Sequence, residues 1–141
     1  MSTVIKPSLS RKNKYHINRH RYYELKHYCL QYHSWKKQYQ RLDRELQIFV
    51  PNLCNNPVQT FNIADKTAEL AIEKAELDRN IKLIETVAAA SDPDIGGYIL
   101  KAVTEGHSFN QMKMIHEIPC ERDMFYDRYR KFFWLLNMAR K

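Results

Sequence analysis

From Asn18 onward, apolar and aromatic side chains return at steps of three and four: Tyr22, Leu25, Cys29, Tyr32, Trp35, Tyr39, Leu42, Leu46 and Phe49. At about 100° per residue this spacing gathers them on one stripe, with Arg21, Lys26, Lys36, Lys37, Arg41 and Arg44 on the opposite face, and it predicts one long helix. Pro51, followed by Asn52, Asn55, Asn56 and Pro57, ends the helix and supplies a linker. A second long helix is predicted from Ile63 to Ala90, where Ile63, Thr67, Leu70, Lys74, Leu77, Ile81, Ile84 and Ala88 alternate steps of four and three. That is a heptad-like seam interrupted once, at Lys74. Two amphipathic helices joined by a proline-bearing loop predict a coiled-coil-like antiparallel hairpin, and the same seam also fits a homodimer.

The C-terminal third changes rhythm. Ser91, Asp92, Pro93 and Asp94 read as a break and restart, since Ser91 or Asp92 caps a helix, Pro93 suits its first turn and acidic residues favour its N-terminus. A short helix carrying Ile95, Tyr98, Ile99, Ala102 and Val103 then stops at Gly106, the residue suited to a left-handed cap. Ser108 caps another short helix with Phe109, Met112 and Ile115. His116, Glu117, Ile118 and Pro119 interrupt, and a last helix runs from about Cys120 to Asn137. Short helices ending in a longer basic one outline a helix-turn-helix. The expected fold is therefore all-α, with a flexible basic arm over 1–17, a helical hairpin over 18–90 and a helix-turn-helix-like bundle over 91–141.

Composition agrees with long helices and few turns: 141 residues, 44% of them hydrophobic, hold only three glycines and five prolines. The net charge of +7 is unevenly placed. Lys and Arg stand 11 against 3 Asp and Glu over residues 1–50, 5 against 9 over 51–110, and 7 against 4 over 111–141. Basic ends attract polyanions, because each cation placed near a phosphate releases condensed counterions; ordinary solubilising charge gives the same count. Cys29, Cys54 and Cys120 are widely spaced, without a C-x-x-C pair, and read as reduced thiols of a cytoplasmic protein. No run has signal-peptide character or the ~20 apolar residues of a membrane span.

On the last helix, Phe125, Tyr129, Phe132 and Leu136 share a face flanked by Phe133 and Leu135, and this face is expected to dock on the preceding helices. The far side is expected to present Asp123, Tyr126, Asp127, Arg130 and Lys131, with Arg122 and Arg128 at its borders. Arginine reads guanine through paired hydrogen bonds in the major groove, whereas Lys and Tyr mostly fix register through phosphate. Arg122, Tyr126, Arg128, Arg130 and Lys131 are accordingly the candidate DNA contacts. A solvated face on which Asp127 pairs with Lys131 is the plainer alternative.

The run Ile118-Pro119-Cys120-Glu121-Arg122-Asp123-Met124-Phe125-Tyr126-Asp127-Arg128-Tyr129-Arg130-Lys131-Phe132-Phe133-Trp134-Leu135-Leu136 resembles the C-terminal segment of small phage and prophage regulators of the ArpU and RinA type. Their C-terminal unit is similar to the promoter-reading fourth region of sigma factors. Phe125, Tyr126, Arg130 and Lys131 carry most of the similarity, which spans roughly residues 92–138. It implies a late-gene activator or sigma-like factor acting on double-stranded DNA in a bacterial host cell, with RNA polymerase as a partner. The turn departs from the tightest helix-turn-helix units, which favour Gly there, by holding His116 and Glu117.

Other chemistry finds little footing. His16 and His20 lie four apart with no carboxylate partner, and His107 and His116 stand separately near the C-terminal turns, so no metal site is expected. The Gly96-Gly97 doublet has no lysine placed as in a phosphate loop, and Asp92 and Asp94 are helix-start charges rather than an acid-base pair. Neither a cofactor nor an enzymatic activity is expected. Two other functions compete: a protein-interaction module, such as a phage-encoded inhibitor or adaptor using Tyr22, Tyr23, Tyr28, Tyr32, Trp35 and Tyr39 as hot spots, and a small DNA-packaging subunit.

Overall fold

In a computed structural model the described residues are 14–52 and 57–140, with side chains described outside 49–64. All regular structure among them is helical: α1 (Arg19–Leu30), α2 (Tyr32–Asn52), α3 (Pro57–Ser91), α4 (Gly96–Glu105), α5 (Phe109–His116) and α6 (Arg122–Ala139). None of these helices is long and apolar enough to cross a membrane.

The single helix expected from Asn18 is two. Asn18 caps α1 as its side chain accepts from the His20 N–H at 2.8 Å. At Gln31 the backbone N–H turns to the Tyr28 carbonyl, the tighter pairing that closes helix ends, and the Gln31 side-chain amide donates to the His27 carbonyl. Nothing in the residue pattern marks this break, because the apolar stripe continues through it.

The helices form two compact units. Among the described residues one takes 14–32 and 83–140, and the other 33–52 and 57–82. The units thus do not follow the linear order 18–90 and 91–141: α1 and the end of α3 belong with α4, α5 and α6. In this first unit α6 packs against α1, α4 and α5, and α4 in turn touches α1, α5 and α6. Its core is strongly aromatic. The Phe133 ring lies 5.1 Å from Tyr22 and 5.0 Å from both Tyr129 and Phe132, and the buried hydroxyls of Tyr22 and Tyr129 share a hydrogen bond of 3.0 Å. Burial pushes both phenols above their ordinary pKa, so both stay neutral. Of the arm expected over 1–17, only residues 14–17 are described. These four are not a loose arm, since Ile17 is buried and the Tyr15 ring stands 5.5 Å from Trp134.

In the second unit Trp35, Leu42, Leu77 and Ile81 are buried. Lys74, the polar interruption of the seam, donates from Nζ to Asp43 Oδ1 at 2.6 Å and lies 5.0 Å above the Tyr39 ring. The hydrogen bond to Asp43 raises the lysine pKa and keeps it charged. An amphipathic stem with a paired head lets a lysine occupy a seam position.

The adjacent glycines of α4 have opposite packing. A Cβ on Gly96 would stand 2.7 Å from the Ala88 carbonyl oxygen and 3.2 Å from the Ala89 Cα, both backbone atoms at the end of α3, whereas a Cβ on Gly97 meets nothing within 4 Å. Gly96→Ala is expected to destabilise by about 1–3 kcal/mol through overpacking. Gly97→Ala is expected to stabilise by up to about 1 kcal/mol through helix propensity. Chemical denaturation of the two variants checks the opposed signs; equal effects would refute the close approach.

Candidate nucleic-acid interface

The C-terminal elements are set by local signals. Gly106 ends α4 in the left-handed region (φ 73°, ψ 33°), where a side chain would be strained. Ser108 then opens α5 with a reciprocal capping box: its Oγ accepts from the Gln111 N–H, and Gln111 Oε1 accepts from the Ser108 N–H at 2.8 Å. The α5 helix ends at Glu117, which takes the left-handed conformation itself (φ 52°, ψ 45°). The glycine expected of a tight turn is therefore replaced by a glutamate in the glycine-like conformation, at a cost of about 1–2 kcal/mol. Three contacts hold it there. The Glu117 and Ile118 N–H groups both return to the Met112 carbonyl, Ile118 is fully buried beneath the turn, and Lys113 Nζ donates to the Ile118 carbonyl at 3.0 Å.

The α6 helix leaves this turn with its first residues, Arg122, Asp123 and Met124, in solvent. Asp123 in the first turn complements the helix dipole. Farther along, α6 sinks into the bundle: from Phe125 to Asn137 every residue is buried or half-buried.

The five candidate contacts thus fare differently. Arg122 is exposed, its guanidinium 5.5 Å from the centre of the Tyr126 ring. Tyr126 is not on an outward face. It is 7% exposed, and its hydroxyl accepts from the Phe109 N–H at 3.2 Å, satisfying an otherwise unpaired donor at the start of α5. Arg128 is engaged within the protein: Nε donates to Asp92 Oδ2 at 2.7 Å and Nη1 to Asp127 Oδ2. Asp92, 5% exposed, accepts with its other oxygen from the N–H groups of Asp94 and Ile95 and so anchors the entry to α4. Arg130 and Lys131 are half-buried, and Arg130 Nε is occluded without a hydrogen-bond partner. Periodicity assigned one docking face to α6. With α1, α4 and α5 all against it, the docking surface is wider and takes in Tyr126 and Arg128.

Of the six N-terminal aromatics offered as hot spots, four are core, and Tyr23 and Tyr39 are half-buried. Tyr22, Tyr28, Tyr32 and Trp35 are buried, and the Tyr32 hydroxyl donates to Glu85 Oε2 at 2.5 Å. Burial and that carboxylate raise the Tyr32 pKa.

The structure also joins two histidines that stand apart in the sequence. His107 Nε2 lies 2.9 Å and His116 Nε2 3.0 Å from Glu105 Oε1, and the two rings are 5.9 Å apart. Although burial opposes ionisation, the hydrogen bond and charge of His116 and those of His107 bring the Glu105 pKa below its ordinary value. The spacing Glu-x-His followed by a histidine nine residues on has no motif value, because it depends on where α4 and α5 end. Among the described residues Cys29 and Cys120 are free thiols, and burial raises the pKa of both.

Comparison with known protein families, curated proteins and solved structures returns no match.

Proposed function

We propose that the chain binds double-stranded DNA as a transcription regulator of phage type, through a helix-turn-helix formed by α5 and α6 that follows, in chain order, an α2–α3 helical hairpin. The observation that carries this reading is the left-handed turn at Glu117, sealed by Ile118, from which the first turn of α6 emerges into solvent. Helix-turn-helix proteins use the N-terminal residues of the second helix on base edges, while the first helix crosses the backbone. An element that reads DNA with one end needs no exposed middle, so the burial of Tyr126 and Arg128 is compatible with it.

The reading edge is accordingly short: Arg122 and Asp123, with Lys113 and Gln111 exposed on α5. Arginine suits guanine, and an aspartate accepts from the cytosine amino group, so a mixed edge suits base readout better than phosphate clamping.

Titration of the full chain with genomic fragments from its own locus tests it, as the salt dependence of binding separates phosphate contact from base contact. Arg122→Ala is expected to weaken binding to a preferred site by about 10–100-fold, equivalent to about 1–3 kcal/mol, with helicity unchanged. No binding to any fragment at low ionic strength, or unchanged affinity in this variant, would defeat the proposal.

One observation favours a protein partner instead. Met114 is 84% exposed and Ile115 57%, both on α5, an apolar pair that solvent does not explain. Under that reading Met114→Ser with Ile115→Ser abolishes partner capture and Arg122→Ala leaves it intact; under the DNA reading the sensitivities reverse.

A further inference from the structure

We infer that Glu105, His107 and His116 form a binding site for one zinc-class divalent cation, which would fasten the end of α4 to the end of α5. The inference is independent of DNA binding.

The donor set is chemically apt. Two imidazoles and a carboxylate are borderline nitrogen and oxygen donors, the set that zinc takes at three-residue sites with a fourth position left to water. Geometry agrees. Zinc bonds of about 2.0–2.1 Å in tetrahedral arrangement place neighbouring donor atoms about 3.3 Å apart. Here both Nε2 atoms lie 2.9 and 3.0 Å from the same carboxylate oxygen, and all three donors fall within 4.8 Å of one another. The two contacts to the carboxylate need open by only a few tenths of an ångström, and side-chain rotation of the imidazoles brings their nitrogens into the same tetrahedral range. The side chains are 19–29% exposed, so an ion has a way in.

The backbone supplies a second, independent reason. Glu105 and His116 are the last residues of α4 and α5, where unpaired carbonyls concentrate negative potential. Two helix C-termini facing one cluster favour a cation there. The ligands are held at fixed points of the fold, with the left-handed Gly106 between Glu105 and His107 and the left-handed Glu117 directly after His116. The ion would therefore brace both turns of the α4–α5 segment.

Competing ligands can be separated from this site. His16 and His20 are exposed outside the cluster, and Cys29 and Cys120 are free thiols. The test is calorimetric titration of the metal-free full chain with zinc chloride, with X-ray absorption of the zinc-loaded wild-type protein. One equivalent is expected to bind and raise the melting temperature, with a first shell of nitrogen and oxygen that includes two imidazoles. His107→Ala and His116→Ala are each expected to weaken binding by about 100-fold or more, and His16→Gln with His20→Gln to leave it unchanged. A sulfur-containing first shell, fewer than two imidazoles, no saturable equivalent, or loss of binding in the His16/His20 variant would each overturn the assignment. Where an alanine variant unfolds, absorption on the zinc-loaded His16→Gln/His20→Gln protein decides the matter: a retained two-imidazole shell upholds the site, and its loss overturns it.

Discussion

Phe133→Ala is expected to be the most damaging single truncation in the chain, lowering unfolding free energy by about 3–5 kcal/mol. Phe133 is fully buried on α6 and meets Tyr22 of α1 together with Tyr129 and Phe132 of α6 in edge-on geometry. Removing the ring leaves a void bordered by three other rings, and aromatic pairs of this kind contribute beyond their buried area. A domain of ordinary stability holds about 5–15 kcal/mol, so the variant retains little margin. Urea unfolding followed by circular dichroism measures the loss; a cost under about 1 kcal/mol would show that the cluster is not the core.

The second large effect belongs to Asp92. Alanine there removes the acceptor for two backbone donors and leaves the Arg128 guanidinium facing a half-closed site, so Asp92→Ala is expected to cost about 2–4 kcal/mol. That is less than for a fully enclosed pair, because the Arg128 side chain is 32% exposed. Asp92→Asn keeps an acceptor for the backbone and loses only the ion pair, and about 1–2 kcal/mol is expected.

The pH dependence follows from the direction of the aspartate's shift. Burial alone would raise the Asp92 pKa, but the hydrogen bond from Arg128 and those from the Ile95 and Asp94 N–H groups outweigh it and leave the pKa lowered. A carboxyl with a lower pKa folded than unfolded contributes its full stability above the ordinary aspartate value and loses it as pH falls through that value toward the folded one. The gap between wild type and Asp92→Asn should therefore be constant near neutrality and shrink below about pH 4. A gap that widens on acidification would contradict the ion pair.

These two residues also mark what was legible in the sequence. Wherever a local signal suffices, it is readable in one dimension: Gly106 as a left-handed stop, Ser108 as a cap, and Phe125, Tyr129, Phe132 and Leu136 as a docking face all follow from chemistry within four residues. What depends on distant partners is not. A 3.6-residue period describes a helix with one neighbour, and α6 has three, so Tyr126 and Arg128 read as outward although Tyr126 serves the Phe109 N–H and Arg128 serves Asp92. The aromatic stripe of α1 invited an interface reading for the same reason. Its apolar face is spent on α4 and α6, more than sixty residues away in the chain. Glu105, His107 and His116 escaped notice because convergence of ligands is set by the ends of two helices rather than by a count of intervening residues.

The stitching of α1 to α6 bears on how the polypeptide is made. Arg21 donates from Nε to Asn137 Oδ1 at 2.8 Å and from Nη2 to the Arg140 carbonyl at 2.7 Å, and the Arg140 guanidinium stacks 3.8 Å from the centre of the Tyr28 ring. Nascent α1 must wait for a partner more than a hundred residues later in the chain, so this bundle closes only once α6 has been made, and such long-range closure is slow. A fragment beginning at residue 91 would lack the helix that covers Phe133, and it should emerge from expression as aggregate unless a peptide spanning residues 14–32 is supplied in trans.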